Sequence, residues 1–168
     1  MIIIINGSLG VGKSSVAEEL HWKFDKSVSL DGDAIGDVHP FEIYDDDRIV
    51  YLYRTLALLI DFHQKNGFPN FVMNYVFESS GSLEDLYELL RPLDSVIHTY
   101  WLTCDAEKQA QRIQHRQRND LEWELTRFLE LQQIQAAAAK QGFIGKEVDT
   151  THLSLSEVAE KIWSDIFA

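Results

Sequence analysis

Hydrophobic residues follow two alternating spacings along the chain, and this alternation predicts the order of its elements. Ile2 to Ile5 form an uninterrupted β-branched run, which is typical of a strand buried on both faces. The next segment has helical spacing, because its apolar residues recur every three or four positions: Val16, Ala17, Leu20 and Phe24. Strands that alternate with helices in this way predict an α/β fold with a parallel sheet and helices on both of its faces.

The same alternation continues to the end of the sequence. Four further strands are predicted, at VSLDGD, FVMNYVF, SVIHTYWLTC and KEVDT, which gives a five-stranded sheet. The predicted helices are Tyr51 to Phe62, a helix capped by Ser82 with Asp85, Ala106 to His115, Leu121 to Ala139, and SLSEVAEKIWSDIF, which Ser154 and Glu157 open as a capping box. No repeat or linker interrupts the pattern, so we expect one domain over residues 1–168.

Composition narrows the classes of partner. The 168 residues are 45% hydrophobic and carry a formal net charge of -12. Binding to nucleic acid or to an anionic membrane needs an excess of Lys and Arg, so we expect neither partner. Cys104 is the only cysteine, which excludes an intrachain disulfide and favours a buried thiol in a reducing compartment. No apolar run approaches the roughly 20 residues of a membrane span, and MIIII lacks the basic start of a secretory signal, so we expect a cytoplasmic protein.

A glycine-rich stretch, GSLGVGKSS, follows the first predicted strand. It satisfies the phosphate-loop pattern G-x-x-x-x-G-K-[ST] and precedes a predicted helix. Glycines permit positive φ, so backbone N–H groups can wrap a phosphate chain, while the lysine supplies a mobile charge and the following hydroxyl can bind Mg²⁺. The residues predicted to bind the nucleotide are Gly7, Ser8, Leu9, Gly10, Val11, Gly12, Lys13, Ser14 and Ser15, with Lys13 also catalytic and Ser14 also a metal ligand.

Over nearly its full length the chain resembles the small P-loop kinases, which include shikimate, gluconate, nucleoside-monophosphate and antibiotic-phosphorylating enzymes. The resemblance rests on the phosphate loop between a buried strand and a helix. It implies the three-layer P-loop NTPase fold, with ATP and Mg²⁺ as cofactors and a small-molecule acceptor as the second substrate. The chain could act as a monomer or a homodimer.

Two acidic residues, Asp31 and Asp33, fall at the predicted end of the second strand. At that spacing on extended backbone both carboxylates would point the same way, one toward Mg²⁺ and one toward an acceptor hydroxyl. The likeness to the D-x-D of shikimate-kinase-like enzymes implies a metal role for Asp31 and a catalytic role on the acceptor for Asp33. An acidic turn is the alternative. Asp37 and the run Asp45 to Asp47 are interpreted as a solvated face or lid.

A cluster of basic residues stands out in this acidic chain, comprising Lys108, Arg112, Arg116 and Arg118. Such a cluster can neutralise a transferring phosphoryl group and exclude water. In the resembled family a lid follows the fourth strand, which implies a lid at about residues 112–122, with Arg112 against adenine and Arg116 or Arg118 catalytic. The alternative is a solvated helix face paired with Glu107 or Glu122. His115 receives no catalytic role.

Weaker candidates surround these motifs. Thr150 lies where the resembled family loops around adenine. FVMNYVF offers Asn74 where many P-loop ATPases have an acid, and Asn74 could bind the acceptor or be structural. His39, Arg54 and Arg91 lie in segments where related kinases bind their acceptor, although each could be a surface residue.

The sequence therefore predicts an ATP-dependent kinase that transfers the γ-phosphoryl group to a small-molecule hydroxyl or to a nucleotide. Two alternatives remain open at this point. One is a nucleotide-binding switch that hydrolyses slowly, although the DxxG and NKxD motifs of GTPases are absent. The other is a kinase-like toxin or antibiotic-modifying enzyme. Sequence alone does not rank the acceptors, because acceptor pockets are built from variable segments on a fixed scaffold.

Overall fold

A computed structural model, which describes residues 1–42, 45–116 and 120–168, has one five-stranded parallel sheet. The strands lie side by side in the order β2-β3-β1-β4-β5, so β1 is central and is paired to β3 on one side and β4 on the other. The strand bounds are β1 Ile2–Gly7, β2 Ser27–Asp31, β3 Asn70–Asn74, β4 Ile97–Thr103 and β5 Lys146–Asp149.

Helices connect the strands in chain order. The described helices are α1 Lys13–Trp22, α2 Gly32–Ile35, α3 Asp46–Lys65, α4 Ser80–Leu90, α5 Ala106–His115, α6 Leu121–Gln141 and α7 Leu155–Ile166. The predicted bounds of α5 match the structure, and the capping box of Ser154 and Glu157 opens α7 as predicted.

The alternating side chains of β1 divide the core into two layers. Ile2 and Ile4 pack in one hydrophobic cluster with residues of α3 and α4, while Ile3 and Ile5 pack in the other with residues of α1 and α7. Successive residues of a strand point to opposite faces, so an all-isoleucine strand suits a sheet covered on both sides. The predicted α/β class, with five parallel strands and helices on both faces, is confirmed.

Two predicted strands end earlier than their hydrophobic patterns suggest. Strand β2 stops at Asp31 because its carboxylate Oδ1 accepts hydrogen bonds from the backbone N–H groups of Asp33 and Ala34 and so caps α2. Strand β3 stops at Asn74: the backbone N–H of Tyr75 still donates to the backbone oxygen of Ile5, but that of Phe77 donates to the side chain of Asn6 rather than to a strand. In both places a polar side chain replaces a backbone partner.

Two helices begin earlier than predicted, again because of capping side chains. Helix α3 starts at Asp46, where the Asp45 carboxylate accepts from the backbone N–H of Asp47. Helix α4 starts at Ser80, and its cap is Ser79, whose hydroxyl accepts from the backbone N–H of Ser82, so the predicted cap by Ser82 with Asp85 is wrong. Asp, Ser and Asn are favoured caps because they bind these free N–H groups.

Two further features concern the lengths of the helices and the single cysteine. Among the described residues, no helix combines the length and the apolar character needed to cross a bilayer. Cys104 is a free thiol, partly buried where it packs against the cluster shared by α1 and α7.

Candidate active site

The glycine-rich loop connects the central strand β1 to α1 at the carboxyl edge of the sheet, where ligands of open α/β sheets bind. Gly10 and Gly12 have φ values of 78° and 109°, which side-chain-bearing residues rarely adopt. A Cβ at Gly10 would also lie 2.3 Å from Cγ1 of Ile113 on α5. The glycines therefore allow both the turn of the loop and its close approach to α5.

Lys13, the first residue of α1, is buried beneath the loop. Its side chain is 7% exposed, and its Nζ donates a 3.1 Å hydrogen bond to the backbone oxygen of Ser8. Burial lowers the pKa of Lys13 to about 8; the charges of Asp33 and Asp31 oppose this shift and that of Arg116 reinforces it. A buried ammonium gains most from a nearby anion, so this position favours a ligand with negative charge.

Two linked glutamines that sequence reasoning missed support the loop. Gln109 on α5 is fully buried, and its Nε2 donates to Ser8 Oγ at 2.6 Å and to the backbone oxygen of Leu9. Gln132 on α6 donates to the Oε1 of Gln109 at 2.7 Å. The signal in the sequence is spacing, because Gln109 lies four residues before buried Ile113 and so shares its helix face.

A second polar pair fixes the end of β1. The Oδ1 of Asn6 accepts from the backbone N–H of Gly7 at 2.7 Å and from Gln135 Nε2 at 3.0 Å, while its Nδ2 donates to the backbone oxygen of Ile144. Asn6 and Gln135 are both almost fully buried. Satisfied buried networks of this kind hold backbone in one arrangement, so the first residues of the loop start from a fixed position.

Ser14, Asp31 and Asn74 come together from α1, β2 and β3. The Oγ of Ser14 lies 3.5 Å from the Oδ2 of Asp31, and Asn74 Nδ2 donates to that same Oδ2 at 3.0 Å. The described residues contain no group of three or more His, Cys, Asp or Glu side chains able to hold a metal ion by themselves. A hydroxyl and one carboxylate nevertheless fit Mg²⁺, which usually keeps water and phosphate oxygens as its other ligands.

Asp33 differs from its sequence prediction in backbone conformation. It lies in the first turn of α2 rather than on extended backbone, so its side chain does not run parallel to that of Asp31. Asp33 is exposed and lines a cavity beside the loop. Its charge is also the largest electrostatic influence that raises the pKa of Lys13. The two acids are thus near the same lysine, although strand geometry does not bring them there.

One cavity, of about 270 Å³, lies between the loop and the start of α7, and we call it the α7-side cavity. Arg112 and Thr150 form one wall of it: the Nη1 of Arg112 donates to Thr150 Oγ1 at 2.9 Å and to the backbone oxygen of Val11 at 3.2 Å. Arg112 is therefore partly buried and bonded to the loop. The full lining comprises Gly10, Val11, Gly12, Ser15, Val16, Arg112, Arg116, Thr150, Leu153, Leu155 and Val158.

The structure brings part of the predicted lid to this cavity. Residues 112–115 form the last turn of α5, and Arg116 follows as its C-terminal cap and lines the cavity. Arg116 is close enough to Lys13 to lower its pKa. Residues 121 and 122 begin α6. Arg118 lies outside the described residues, so its predicted catalytic role has no structural counterpart here.

A larger cavity, of about 720 Å³, lies on the other side of the loop beside α2, and we call it the α2-side cavity. It touches the loop at Leu9. Five separate segments of the chain contribute to it, with the described lining Leu9, Asp33, Ala34, Asp37, Phe41, Arg48, Ile49, Tyr53, Tyr75, Val76, Glu78, Ser79, Ser82, Trp123, Glu124, Arg127 and Leu131. Its volume lies in the range of small-molecule sites.

Sequence reasoning missed most of this cavity, including its two arginines. The signal was available in helix spacing, since Arg48 precedes Leu52 and Leu56 at intervals of four and lies on their buried face. Its Nε donates to the backbone oxygen of Gly36 at 2.7 Å. Arg127 in turn lies four residues before buried Leu131 on α6. A charged residue at a core-facing helix position indicates a polar pocket.

The weaker acceptor candidates lie elsewhere. His39 and Arg54 are exposed and are not among the described residues that line the α2-side cavity. Arg91 follows α4 and pairs with Glu84, with its Nη2 3.0 Å from Glu84 Oε2. His115 is exposed and bonds to the backbone oxygen of Gln111.

Known protein structures share this fold, although similarity in sequence is low. No protein-family model matches the chain, and no curated protein matches it by sequence search. The tunicamycin resistance protein of Deinococcus radiodurans aligns with a TM-score of 0.66 at 19% identity, covering 98% of this chain and 94% of that one. A gluconokinase from Sinorhizobium meliloti 1021 aligns with a TM-score of 0.64 at 17% identity, covering 98% of this chain and 90% of that one.

A thymidylate kinase from Candida albicans gives a similar result, with a TM-score of 0.62 at 17% identity over 99% of this chain and 90% of that one. These alignments span almost the whole of both chains in each case. The sheet order and the placement of the loop after the central strand agree with the same assignment. The fold of this chain is that of the small P-loop kinases.

Proposed function

We propose that this protein is an ATP-dependent phosphotransferase that acts on a small-molecule acceptor. The observation that carries the proposal is that the glycine-rich loop lies between two cavities. Gly10 to Gly12 face the α7-side cavity, and Leu9 faces the α2-side cavity. Phosphoryl transfer needs a donor and an acceptor on opposite sides of one phosphate position, because the attacking and leaving oxygens are roughly in line.

The loop and the α7-side cavity suit the nucleotide. The N-terminus of α1 and the loop N–H groups favour a phosphate chain, with Lys13 beneath it. Arg112 and the apolar residues Leu153 and Val158 offer surfaces for the nucleoside part. Ser14 and Asp31 would hold Mg²⁺, which neutralises charge on the phosphate oxygens when it is bound.

Asp33 is the proposed group that orients the acceptor and removes its proton. It lines the α2-side cavity and lies near Lys13, so it is between the two substrates. The acceptor oxygen forms a bond to the γ-phosphorus while the bond from that phosphorus to the β–γ bridging oxygen breaks. ADP leaves with the electron pair of that bond, and the hydroxyl proton passes to the Asp33 carboxylate and then to water.

Arg116 is the proposed cation that stabilises the transferring group. It lines the α7-side cavity and acts on the charge of Lys13, so it is close to the phosphate position. An arginine there would neutralise the charge that develops on the equatorial oxygens. We retain Arg118 as a sequence-based candidate for the same role.

Transfer is a better proposal than slow hydrolysis by a switch protein. A switch needs only its nucleotide site, whereas this chain has a second cavity of about 720 Å³ that reaches the loop. Two of the named neighbours are kinases with different acceptors in their names, a gluconokinase and a thymidylate kinase. They support transfer in general and leave the acceptor to be argued from the cavity.

A coupled assay of ADP release, with mass spectrometry of the product, tests the proposal. The acceptor panel is nucleosides, nucleoside monophosphates, sugar acids, shikimate and aminoglycosides. We expect one class to stimulate ADP release and to gain one phosphoryl group. Binding of ATP with no phosphorylated product from any class would contradict the transfer function.

A further inference from the structure

The α2-side cavity has more acidic than basic side chains in its described lining. The acidic residues are Asp33, Asp37, Glu78 and Glu124, and the basic residues are Arg48 and Arg127. These four acids and two arginines come from α2, α3, α6 and the segments next to them. A ligand with negative charge would therefore approach more like than unlike charge in a partly dehydrated space.

Both arginines of the cavity already donate to groups of the protein. Arg127 is held between two carboxylates, with Nη2 2.5 Å from Glu78 Oε1 and Nη1 3.0 Å from Glu130 Oε2, and its side chain is 13% exposed. Arg48 donates to the backbone oxygen of Gly36 at 2.7 Å, and its Nη1 lies 3.5 Å from the hydroxyl of Tyr75. Recognition of a phosphate or carboxylate commonly uses both edges of an arginine fork. Here the guanidinium groups of both arginines bond to other groups of the protein and so hold the wall of the cavity in place.

Aromatic side chains supply much of the remaining surface. Tyr53 and Tyr75 form an inner wall, with ring centroids 6.5 Å apart and planes at 88°. Phe41 and Trp123 also line the cavity, and Trp123 is 46% exposed at the start of α6. Exposed Trp beside a cavity offers a flat surface on which a planar ring can stack.

We propose that the acceptor is an uncharged alcohol that carries an aromatic or heteroaromatic ring, rather than a nucleoside monophosphate or a sugar acid. This inference rests on the phosphotransferase function proposed above. The ring lies among the aromatic side chains, with Trp123 as its stacking partner. The hydroxyl meets Asp33, which accepts its proton as the oxygen bonds to the γ-phosphorus and ADP departs with the electrons of the broken bond.

Matched pairs of acceptors test the charge part of the proposal. Thymidine is compared with thymidine 5′-monophosphate, and 4-(hydroxymethyl)benzamide with 4-(hydroxymethyl)benzoate. Dissociation constants are measured by calorimetry with Mg²⁺ and a non-hydrolysable ATP analogue, so that no transfer is needed. We expect the neutral member of at least one pair to bind about 10-fold or more tightly than its anionic partner. Tighter or equal binding of the anionic members, or no binding by either neutral compound, overturns the proposal.

Phosphorylated product from the same compounds, measured with ATP by mass spectrometry, separates this inference from the function on which it rests. Product from the neutral member supports both. Tight binding of the neutral member, without product from it or from any class of the acceptor panel, supports a neutral ring-bearing ligand for this cavity and contradicts the transferase function. Product from only the anionic members supports the transferase function and overturns the acceptor class.

Trp123 tests the aromatic part of the proposal. Trp123→Ala should raise the dissociation constant of the neutral acceptor about 10-fold or more, with the affinity for the ATP analogue unchanged, and Trp123→Phe should recover most of the loss. The matched control is Trp22→Ala, because Trp22 is 75% exposed at the end of α1 and outside both cavities. Equal acceptor affinity in the parent and Trp123→Ala would contradict the stacking role.

Asp37 tests the charge of the cavity directly. Asp37→Lys should shift the preference toward the anionic member of each pair by about 10-fold, since the lining then carries one acid fewer and one cation more. Asp25→Lys is the matched control, because Asp25 is an exposed acid in the turn before β2. A preference that is unchanged in Asp37→Lys, or one that changes as much in the control, would contradict the charge argument.

Discussion

The two cavities beside the loop differ in how the chain builds them. The α7-side cavity takes about half of its lining from the loop and the start of α1, and Arg112 hydrogen-bonds both to Val11 of that loop and to Thr150. The α2-side cavity touches the loop at Leu9 and takes its other residues from elements far apart in sequence. About half of the first cavity is therefore local in the chain, whereas nearly all of the second is assembled by tertiary contacts.

This difference has a chemical consequence. Phosphate binding depends on backbone N–H groups and a helix terminus, which a short glycine-containing stretch can supply by itself. Acceptor binding depends on side chains, and here the charges and rings of the α2-side cavity come from α2, α3, α6 and the segment after β3. The proposed nucleotide side therefore depends largely on local backbone, while the proposed acceptor side depends on side chains from several elements of this chain.

The largest expected effect is at the border of the two cavities. Asp33→Asn keeps the size of the side chain but removes the base, so transfer to a hydroxyl acceptor should fall between about 10² and 10⁴-fold, with ATP affinity nearly unchanged. Steady-state rates and calorimetry measure the two quantities. Asp25→Asn is the matched control. A transfer rate equal to that of the parent would exclude the base role.

The next effect tests whether the α7-side cavity takes part in the chemistry or only in binding. Arg116→Ala should lower kcat by about 10³-fold if Arg116 stabilises the transferring charge. The KM for ATP should change much less, because the interaction is strongest in the transition state. Lys140→Ala, an exposed cation near the end of α6, serves as the control. If Arg116→Ala raised only the KM for ATP and left kcat unchanged, Arg116 would act in binding rather than in catalysis.

The smallest effect concerns the loop itself. Burial lowers the pKa of Lys13 to about 8, and a bound phosphate chain favours the charged ammonium and so raises that pKa. ATP binding should therefore take up a proton just above pH 8, and affinity should fall as pH rises through that region. Lys13→Ala should remove the proton uptake and weaken binding about 10-fold to 100-fold.

Calorimetry of the parent and Lys13→Ala in two buffers of different ionisation enthalpy measures the uptake of protons. Lys65→Ala is the control, because Lys65 is an exposed cation that pairs with Asp61. Proton uptake that persists in Lys13→Ala would assign the titration to another group.

The sequence predicted well the features that depend on local chemistry. The Ile2 to Ile5 run predicted a strand buried on both faces, and the bounds of α5 and the capping box of α7 are as expected. Predictions were wrong where a side chain replaced a backbone partner. Beyond the end of β3, the side chain of Asn6 accepts from the backbone N–H of Phe77, and Asp31 caps α2 and so moves Asp33 off extended backbone. The hydrophobic pattern by itself shows neither the long-range contact of Asn6 nor which of several neighbouring polar residues caps a helix.

The residues of the candidate site also fall into two groups, those that the sequence predicted and those that it did not. Gly10, Lys13 and Ser14 were recognisable because the phosphate-loop pattern lies within a few consecutive residues. Gln109 and Arg127 were not, although each occupies a core-facing helix position. Helix spacing indicates that such a side chain faces the core, but it does not indicate which residue the side chain contacts.

The sequence by itself thus determined the α/β class, the buried first strand and the loop with its lysine, because periodicity and backbone conformation are local properties. The tertiary structure decided which residues share a cavity. It brought Trp123 of α6 and Asp33 of α2 to one pocket and joined Arg112 to Thr150. These pairings depend on how helices pack on the sheet, and that packing is set by the whole core rather than by any one segment.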